Sequence, residues 1–383
     1  MNKITRKSFL KVLAATMVGG AAASALTGAA APVSIDETNG KVSRWVKNSL
    51  NPDGPLTIAK QGMFSSGGTV TAPVAGTYDA TTNWLDTTRA GNTAHVDHAN
   101  VLYQIPADSN GWPMVYLHGY GQSRMGWITT PDGRQGWADL FLRNGYSAFL
   151  VDQPRRGEAG STAQMSTDGF LDTWSADSKD YKPGDQAWYT HFRIGRVAPE
   201  RYEGSQFPEG DAAQNQFFRQ MTPNTGDFDQ AVAAAALGEV MKDVQTLTGH
   251  KSIFVTHSQG GAVGWDVPAD NIAAIVAIEP GGTPAIGSEQ YTKLLSASIP
   301  IAIYFGDYID NGPEDIMSTS FWRQVRDGAL AFAAQYNADG GDCTVVDLPK
   351  IGITGNSHFM FQELNNKEIA DHIYQWLESR ALA

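Results

Sequence analysis

One cysteine, Cys343, in 383 residues leaves no intramolecular disulfide to form and no cysteine-rich zinc site to build. Positive charge is scarce as well. Lys and Arg number 28 against 40 Asp and Glu, a net charge of -12, which argues against a surface that tracks a phosphate backbone or an anionic membrane. Nucleic acid is not an expected partner. No uninterrupted apolar run reaches the ~20 residues of a membrane span, because Gly and Thr break the one candidate near the N-terminus. With 42% hydrophobic and 18% charged residues the chain does not have the composition of a disordered protein either.

What is present begins with that N-terminal stretch. Lys3, Arg6, Lys7 and Lys11 precede small apolar residues from Val12 to Ala31, the layout of an export signal. Thr5-Arg6-Lys7-Ser8-Phe9-Leu10-Lys11 resembles a twin-arginine motif with Lys7 at the second arginine. Residues 1–31 are therefore read as a removable signal, 32–60 as a polar lead, and 61–383 as the folded domain of a protein expected in the periplasm or outside the cell.

Along that domain, Gly62 to Gly76 alternates as a hairpin would, and Ala99 to Ile105 reads as an edge strand. Met114-Val115-Tyr116-Leu117 and Ser147 to Val151 are instead continuous apolar runs, which suit strands covered on both faces. Helical spacing lies between them, from Trp137 to Arg143. Residues 153–225 break the rhythm and are read as a lid or cap insertion. A long alanine-rich helix follows from Phe228 to Leu247, with Asn224 to Asp227 as its cap region. Strands at Ile253 to Val255, Ile275 to Ile278, Ile301 to Phe305 and Val345 to Leu348 then alternate with helices, ending in one from Lys367 to Leu377. The expected fold is α/β, a doubly wound, mostly parallel sheet with ligands at the carboxyl ends of its strands.

The chemistry-bearing residues stand at those ends. Thr256-His257-Ser258-Gln259-Gly260 joins a strand to a helix, like the G-x-S-x-G turn that lifts a serine nucleophile over a sheet edge, but with Thr256 at the first glycine. A serine in that position also suits a helix N-cap. A nucleophilic serine needs a base and an acid to orient the base, and in such β/α proteins both come later in the chain. Downstream histidines are His358, in the loop Gly355-Asn356-Ser357-His358, and His372, inside the last helix and expected at its surface. His358 is the candidate base. For the acid, Glu279 ends one strand and Asp307 the next, and the residues alone leave both open. His118-Gly119 after an early strand marks an oxyanion site, with the backbone N–H groups of Tyr120 and Gln259 as donors.

Other candidates carry less. His95 and His98, three apart in a strand, would face opposite sides, so no metal site is expected. Arg155 and Arg156 are read as partners of nearby acids rather than as substrate contacts. Trp174, Trp188, Tyr189, Phe207, Phe217 and Phe218 in the insertion could line an apolar pocket or pack among themselves.

Taken together, these stretches resemble the α/β-hydrolase superfamily, and within it a small group of secreted bacterial esterases with a Ser-Glu-His triad. The resemblance rests on Leu117-His118-Gly119, Met125-Gly126-Trp127, Thr130-Pro131-Asp132-Gly133-Arg134, Gly136-Trp137 and Gly145-Tyr146-Ser147. It continues at Val151-Asp152-Gln153, Thr256-His257-Ser258-Gln259, Glu279-Pro280-Gly281, Gly355-Asn356-Ser357-His358, Asn365-Asn366 and Ile369-Ala370-Asp371. It implies Glu279 as the acid, with Asp307 as the alternative, and a cofactor-free carboxylic ester hydrolase acting on a small-molecule ester through an acyl-enzyme. Tyr120-Gly121 stand where one member of the group has paired cysteines, so no disulfide in that loop is implied. The same triad acting on a thioester, amide, lactone or polyester bond is the alternative, and a non-catalytic binding protein of the same fold a remote one. The matching stretches leave the insertion out, and with it the substrate's identity. The oligomeric state is not legible.

Overall fold

Five consecutive buried residues in one strand require cover on both faces, and that condition organises the molecule. The computed structural model describes residues 54–72, 74–82, 90–162 and 185–383. The segment read as an export signal, most of the expected lead and Trp174 lie outside them. In chain order the elements are β1 (Ile58–Ser66), β2 (Thr69–Thr71), β3 (Ala94–Val96), β4 (Ala99–Pro106), β5 (Pro113–Leu117), α1 (Met125–Ile128), α2 (Trp137–Arg143) and β6 (Ser147–Asp152). After these come α3 (Asp185–His191), α4 (Asp211–Arg219), α5 (Gln230–Thr248), β7 (Ser252–His257), α6 (Gln259–Gly264) and β8 (Ile272–Ile278). The chain closes with α7 (Glu289–Ser296), β9 (Ile301–Phe305), α8 (Met317–Ala338), β10 (Cys343–Asp347) and α9 (Asn366–Glu378).

An eight-stranded sheet runs in the order β1-β4-β6-β5-β7-β8-β9-β10. From β6 to β10 every neighbour is parallel, and only β4 runs against its neighbours β1 and β6. Every residue of β5, β6, β7 and β9 is buried, as continuous apolar runs between two layers of helix demand. Burying such strands supplies the main stabilisation, at roughly 25 cal/mol per Å² of apolar surface.

The strand order matters for function. The chain leaves β5 for β6 on one side and returns to β7 on the other, so the sheet's winding reverses between β5 and β7. Where winding reverses, the flanking loops diverge and open a crevice at the strands' carboxyl ends. His118 and Gly119 follow β5 and Ser258 follows β7. The topology thus puts the two loops singled out by sequence on opposite lips of one crevice.

Several details differ from the sequence reading. The first strands do not form a hairpin with each other: β1 pairs with β4, and β2 pairs with β3 in a separate two-stranded sheet. That makes β4 an interior strand, with β1 at the edge. Solvent on β1's outer face explains its alternation. His95 lies in β3, but the chain turns at Asp97, which has a positive φ, before reaching His98. Strand alternation therefore does not relate the two histidines. The 22-residue helix α8 was not anticipated. His372 is not a free surface residue, since its Nδ1 lies 3.0 Å from the Tyr304 hydroxyl and the ring is half-buried.

The long helix α5 starts later than expected. Its cap is Asp229, whose carboxylate accepts the N–H groups of Ala231 and Val232 at 3.0 and 3.1 Å. The helix ends on Gly249 in the left-handed conformation. Because α5 packs across β1, β4, β5 and β7, fraying its first turn should be felt in global stability. Asp229→Ala is expected to lower unfolding free energy by about 1 kcal/mol, read as a shift in denaturant midpoint at constant m-value. No shift would mean the cap contributes nothing.

Candidate active site

The turn at Ser258 is strained by design of its neighbours. Ser258 adopts φ 55° and ψ -120°, a region that a residue with a side chain enters only when its surroundings fix it there. Here its N–H donates to Ile278 at 3.1 Å, and its carbonyl accepts from Gly261 and Gly281 at 2.9 and 3.0 Å. Glycine is needed on the helix side: a Cβ on Gly260 would stand 2.4 Å from the His118 carbonyl, and one on Gly261 would stand 2.5 Å from Pro280. Thr256 fits for the complementary reason. The helix residues facing it are Gly261 and Gly264, so the bulk missing from α6 is supplied by the threonine. The absent first glycine does not disable the turn.

Above β8 and β9 the two candidate acids have different partners. Glu279 Oε2 lies 2.6 Å from His358 Nδ1, both side chains having no solvent exposure. Asp307 instead accepts the N–H groups of Tyr308 and Gly355, at 2.7 and 2.8 Å, and fastens the end of β9 to the loop that carries His358. A carboxylate can only accept, so Nδ1 of His358 carries the hydrogen and Nε2 has a lone pair. Nε2 has no hydrogen-bond partner among the described residues. A bond from Ser258 to it is not made here; such bonds often tighten only when substrate binds.

Residues given no role in the sequence reading hold this pair. The second oxygen of Glu279 accepts the Gly306 N–H at 2.7 Å and Arg193 Nη2 at 2.5 Å. Arg193 comes from the segment read as an insertion, just past α3, and its Nε donates to the Asp307 carbonyl at 3.0 Å. Phe192, one residue earlier, accepts the His358 N–H at 3.1 Å, and its ring lies on the imidazole at 4.6 Å and 14°. Trp322 of α8 covers the imidazole at 4.3 Å. His257, next to Ser258, donates from Nε2 to the His358 carbonyl at 3.0 Å, its ring 4.4 Å away. Glu363 takes the Ser357 N–H at 2.9 Å and the Asn356 side-chain amide at 2.8 Å. The positions of His257 and Glu363, close in sequence to Ser258 and His358, were available clues. Arg193 and Phe192 sit in the segment with no motif at all.

The loop after β5 abuts the serine. A Cβ on Gly119 would lie 2.8 Å from Ser258 Cβ, so only glycine allows the approach. Tyr120 follows it, and Gln259 is the first residue of α6, where a helix leaves its N–H groups without internal partners. His118 Nδ1 donates to the Gly119 carbonyl at 2.9 Å, and its Nε2 receives the Gln153 N–H at 3.4 Å. Burial holds this ring neutral, lowering its pKa to about 4. Arg156 is buried and donates to the carbonyls of Gly119 and Gln122 and to the Asn224 side chain, so it braces this loop rather than pairing with an acid. Arg155 does take an acid, Asp97, at 2.9 Å. Trp188, Phe207 and Phe217 of the insertion are in the core.

No protein-family profile matches the chain. A solved structure, described as that of a novel bacterial esterase, superposes with a TM-score of 0.71 and 32% identity, covering 87% of this chain and 99% of that one. The chain belongs to the α/β-hydrolase superfamily. A curated relative, the probable secreted lipase phiG of a fungal species, is 26% identical over 314 residues, 70% of this chain and 82% of that protein. The serine, carboxylate and histidine found here follow one another in the chain order of other α/β-hydrolases.

Electrostatically, this α/β-hydrolase site is a nest of buried titrating groups. His118, His257 and His358 are all fully enclosed, and burial lowers the pKa of each, for His358 with Arg193 and then His191 adding to the effect. Burial drives Glu363 the other way, up to about 7, against the hydrogen bonds it accepts. As pH falls below the ordinary histidine value of 6.5, the unfolded chain takes up three protons that the folded site refuses. The folded chain gains one, on Glu363, that the unfolded chain takes only near 4.5. Stability should therefore fall as pH drops from 6.5 toward 4.5, because the protons these histidines refuse outnumber the one Glu363 gains. Urea unfolding at several pH values measures the slope. Glu363→Gln removes the opposing proton and should steepen it; an unchanged slope would put the Glu363 titration elsewhere.

Proposed function

We propose that Ser258 is the nucleophile, His358 the general base and Glu279 the orienting acid of this carboxylic ester hydrolase. The reading rests above all on the 2.6 Å contact between Glu279 and His358 Nδ1, which leaves an unpartnered Nε2 on the loop facing the Ser258 turn. Ser258 Oγ attacks the ester carbonyl as Nε2 takes its proton. The oxyanion that forms is met by the N–H groups of Tyr120 and Gln259, aimed in advance by the tight Gly119 approach and the start of α6. The imidazolium returns the proton to the leaving alcohol. Water then repeats the sequence on the acyl-enzyme, with the same histidine as base. Glu279 fixes the tautomer and offsets the imidazolium charge throughout. No step calls for a metal or cofactor.

The substrate is read as a small-molecule ester whose acyl and alcohol parts are chosen by residues of the insertion, some of which cover the imidazole. We also read the protein as exported, on its basic and then small apolar N-terminus, in keeping with a relative described as secreted. Among the described residues no helix is long and apolar enough to cross a membrane.

Ser258→Ala should abolish hydrolysis of short-chain nitrophenyl esters and labelling by a fluorophosphonate; retained activity would remove Ser258 from the mechanism. Glu279→Gln should lower kcat by roughly 10³–10⁴-fold, as loss of an orienting acid does, whereas Asp307→Asn should cost less than about tenfold. The reverse ranking would make Asp307 the acid. Because the base must be neutral and its enclosure lowers its pKa, the acid limb of kcat/KM should fall below pH 6.5. A limb at or above that value would contradict His358 as the titrating base.

A further inference from the structure

We infer that Arg193, delivered by the insertion, is a positioning residue of the Glu279–His358 pair that sets the acid limit of the reaction. The inference rests on the triad assigned above and goes one shell beyond it. Arg193 is 1% exposed and spends its guanidinium on two bonds, Nη2 to Glu279 Oε1 at 2.5 Å and Nε to the Asp307 carbonyl at 3.0 Å. Its face lies over Trp322, 5.3 Å from the ring centroid, and Trp322 in turn covers the imidazole of His358. Such a buried arginine must be matched by charge, and Glu279 is the carboxylate it meets.

The consequence is a change in the charge arithmetic of the site. In a triad of serine, histidine and carboxylate alone, the resting carboxylate is uncompensated, and protonating the imidazole neutralises it. Here the guanidinium already compensates Glu279, so protonating His358 adds a positive charge that the Arg193–Glu279 pair does not neutralise. The imidazolium is therefore resisted in the resting enzyme and stabilised mainly once the oxyanion forms beside it. Other groups facing the pair are His191 on α3, His257 on β7, Asp307 after β9 and Glu363 after the His358 loop. Asp307 and Glu363 are turned onto backbone N–H groups and the Asn356 amide, and His257 onto the His358 carbonyl. The directed charge on Glu279 is that of Arg193.

Residue 193 also holds the geometry. With Oε1 engaged by Arg193 and Gly306, the carboxylate cannot rotate away from Nδ1, and Phe192 fixes the His358 backbone from the same turn. A site held this way should work in more acidic solution than histidine's ordinary pKa allows.

The test compares pH profiles of kcat/KM for wild type, Arg193→Met and Arg193→Lys, with fluorophosphonate labelling to count competent sites and circular dichroism to check folding. In Arg193→Met the acid limb should move up by about one pH unit or more, as loss of a neighbouring charge does, and kcat should fall about tenfold with little change in KM. Arg193→Lys, which keeps the charge without the two-point hold, should keep the limb near its wild-type position while kcat still falls. An acid limb that stays in place in folded Arg193→Met overturns the inference. Ser258→Ala separates the two levels: if that variant still turns over ester, the triad reading fails, and if it is inert while the limb does not move, only the role of Arg193 fails. Should Arg193→Met not fold, a limb that shifts upward in Arg193→Lys as far as expected for loss of charge overturns it.

Discussion

The carboxylate of Glu279 is the point on which the site depends. It has no exposure and three hydrogen-bond donors: the imidazole of His358 on one oxygen, the Gly306 N–H and Arg193 on the other. Those donors come from three separate parts of the chain, the His358 loop, the turn after β9 and the insertion. A charge buried this deeply is tolerated only when its partners surround it. Meeting that demand brings these three segments together in one place. Asp307 serves the same end from one strand over, by tying Gly355 and Tyr308 to the strand end beside Glu279.

The strain at Ser258 belongs to the same balance. A residue held at positive φ costs of order 1–3 kcal/mol, and Glu279 is itself at φ 40°. Both strained residues stand at the ends of adjacent central strands, where the sheet is most completely buried and least able to relax. Their backbones are joined, since Ser258 N–H donates to the residue before Glu279 and Ser258 carbonyl accepts from Gly281. Rigidity of the parallel core thus holds one serine and one carboxylate in strained turns at neighbouring strand ends.

How much of this was legible in the sequence follows from how local each signal is. Continuous apolar runs disclose fully buried strands because burial on both faces removes alternation, and β5 to β9 were readable for that reason. The pairing of β1 and β4 was not, because it joins residues some 40 apart and local alternation names no partner. Ser258 and both carboxylates stand at strand ends and His358 in the loop after the last strand, places where the sequence marks candidates for this chemistry. Choosing between Glu279 and Asp307 is a question of which side chain reaches Nδ1, and that distance is set by the turns after β8 and β9. Thr256 looked like damage because the glycines that make room for it, Gly261 and Gly264, lie on the helix side of the turn.

The insertion was the least readable segment, and its contribution explains why. Phe192 and Arg193 act through a backbone carbonyl, a ring face and a guanidinium, none of which requires a recurring spacing, so no pattern marks them. They nonetheless touch the His358 imidazole and the Glu279 carboxylate directly. Gln206 adds a further bond from the same segment to the Gly355 carbonyl, 2.7 Å away. A segment that both covers the imidazole and orients the pair cannot vary freely. A change that displaces Phe192 or Arg193 also displaces their contacts with the His358 ring and the Glu279 carboxylate.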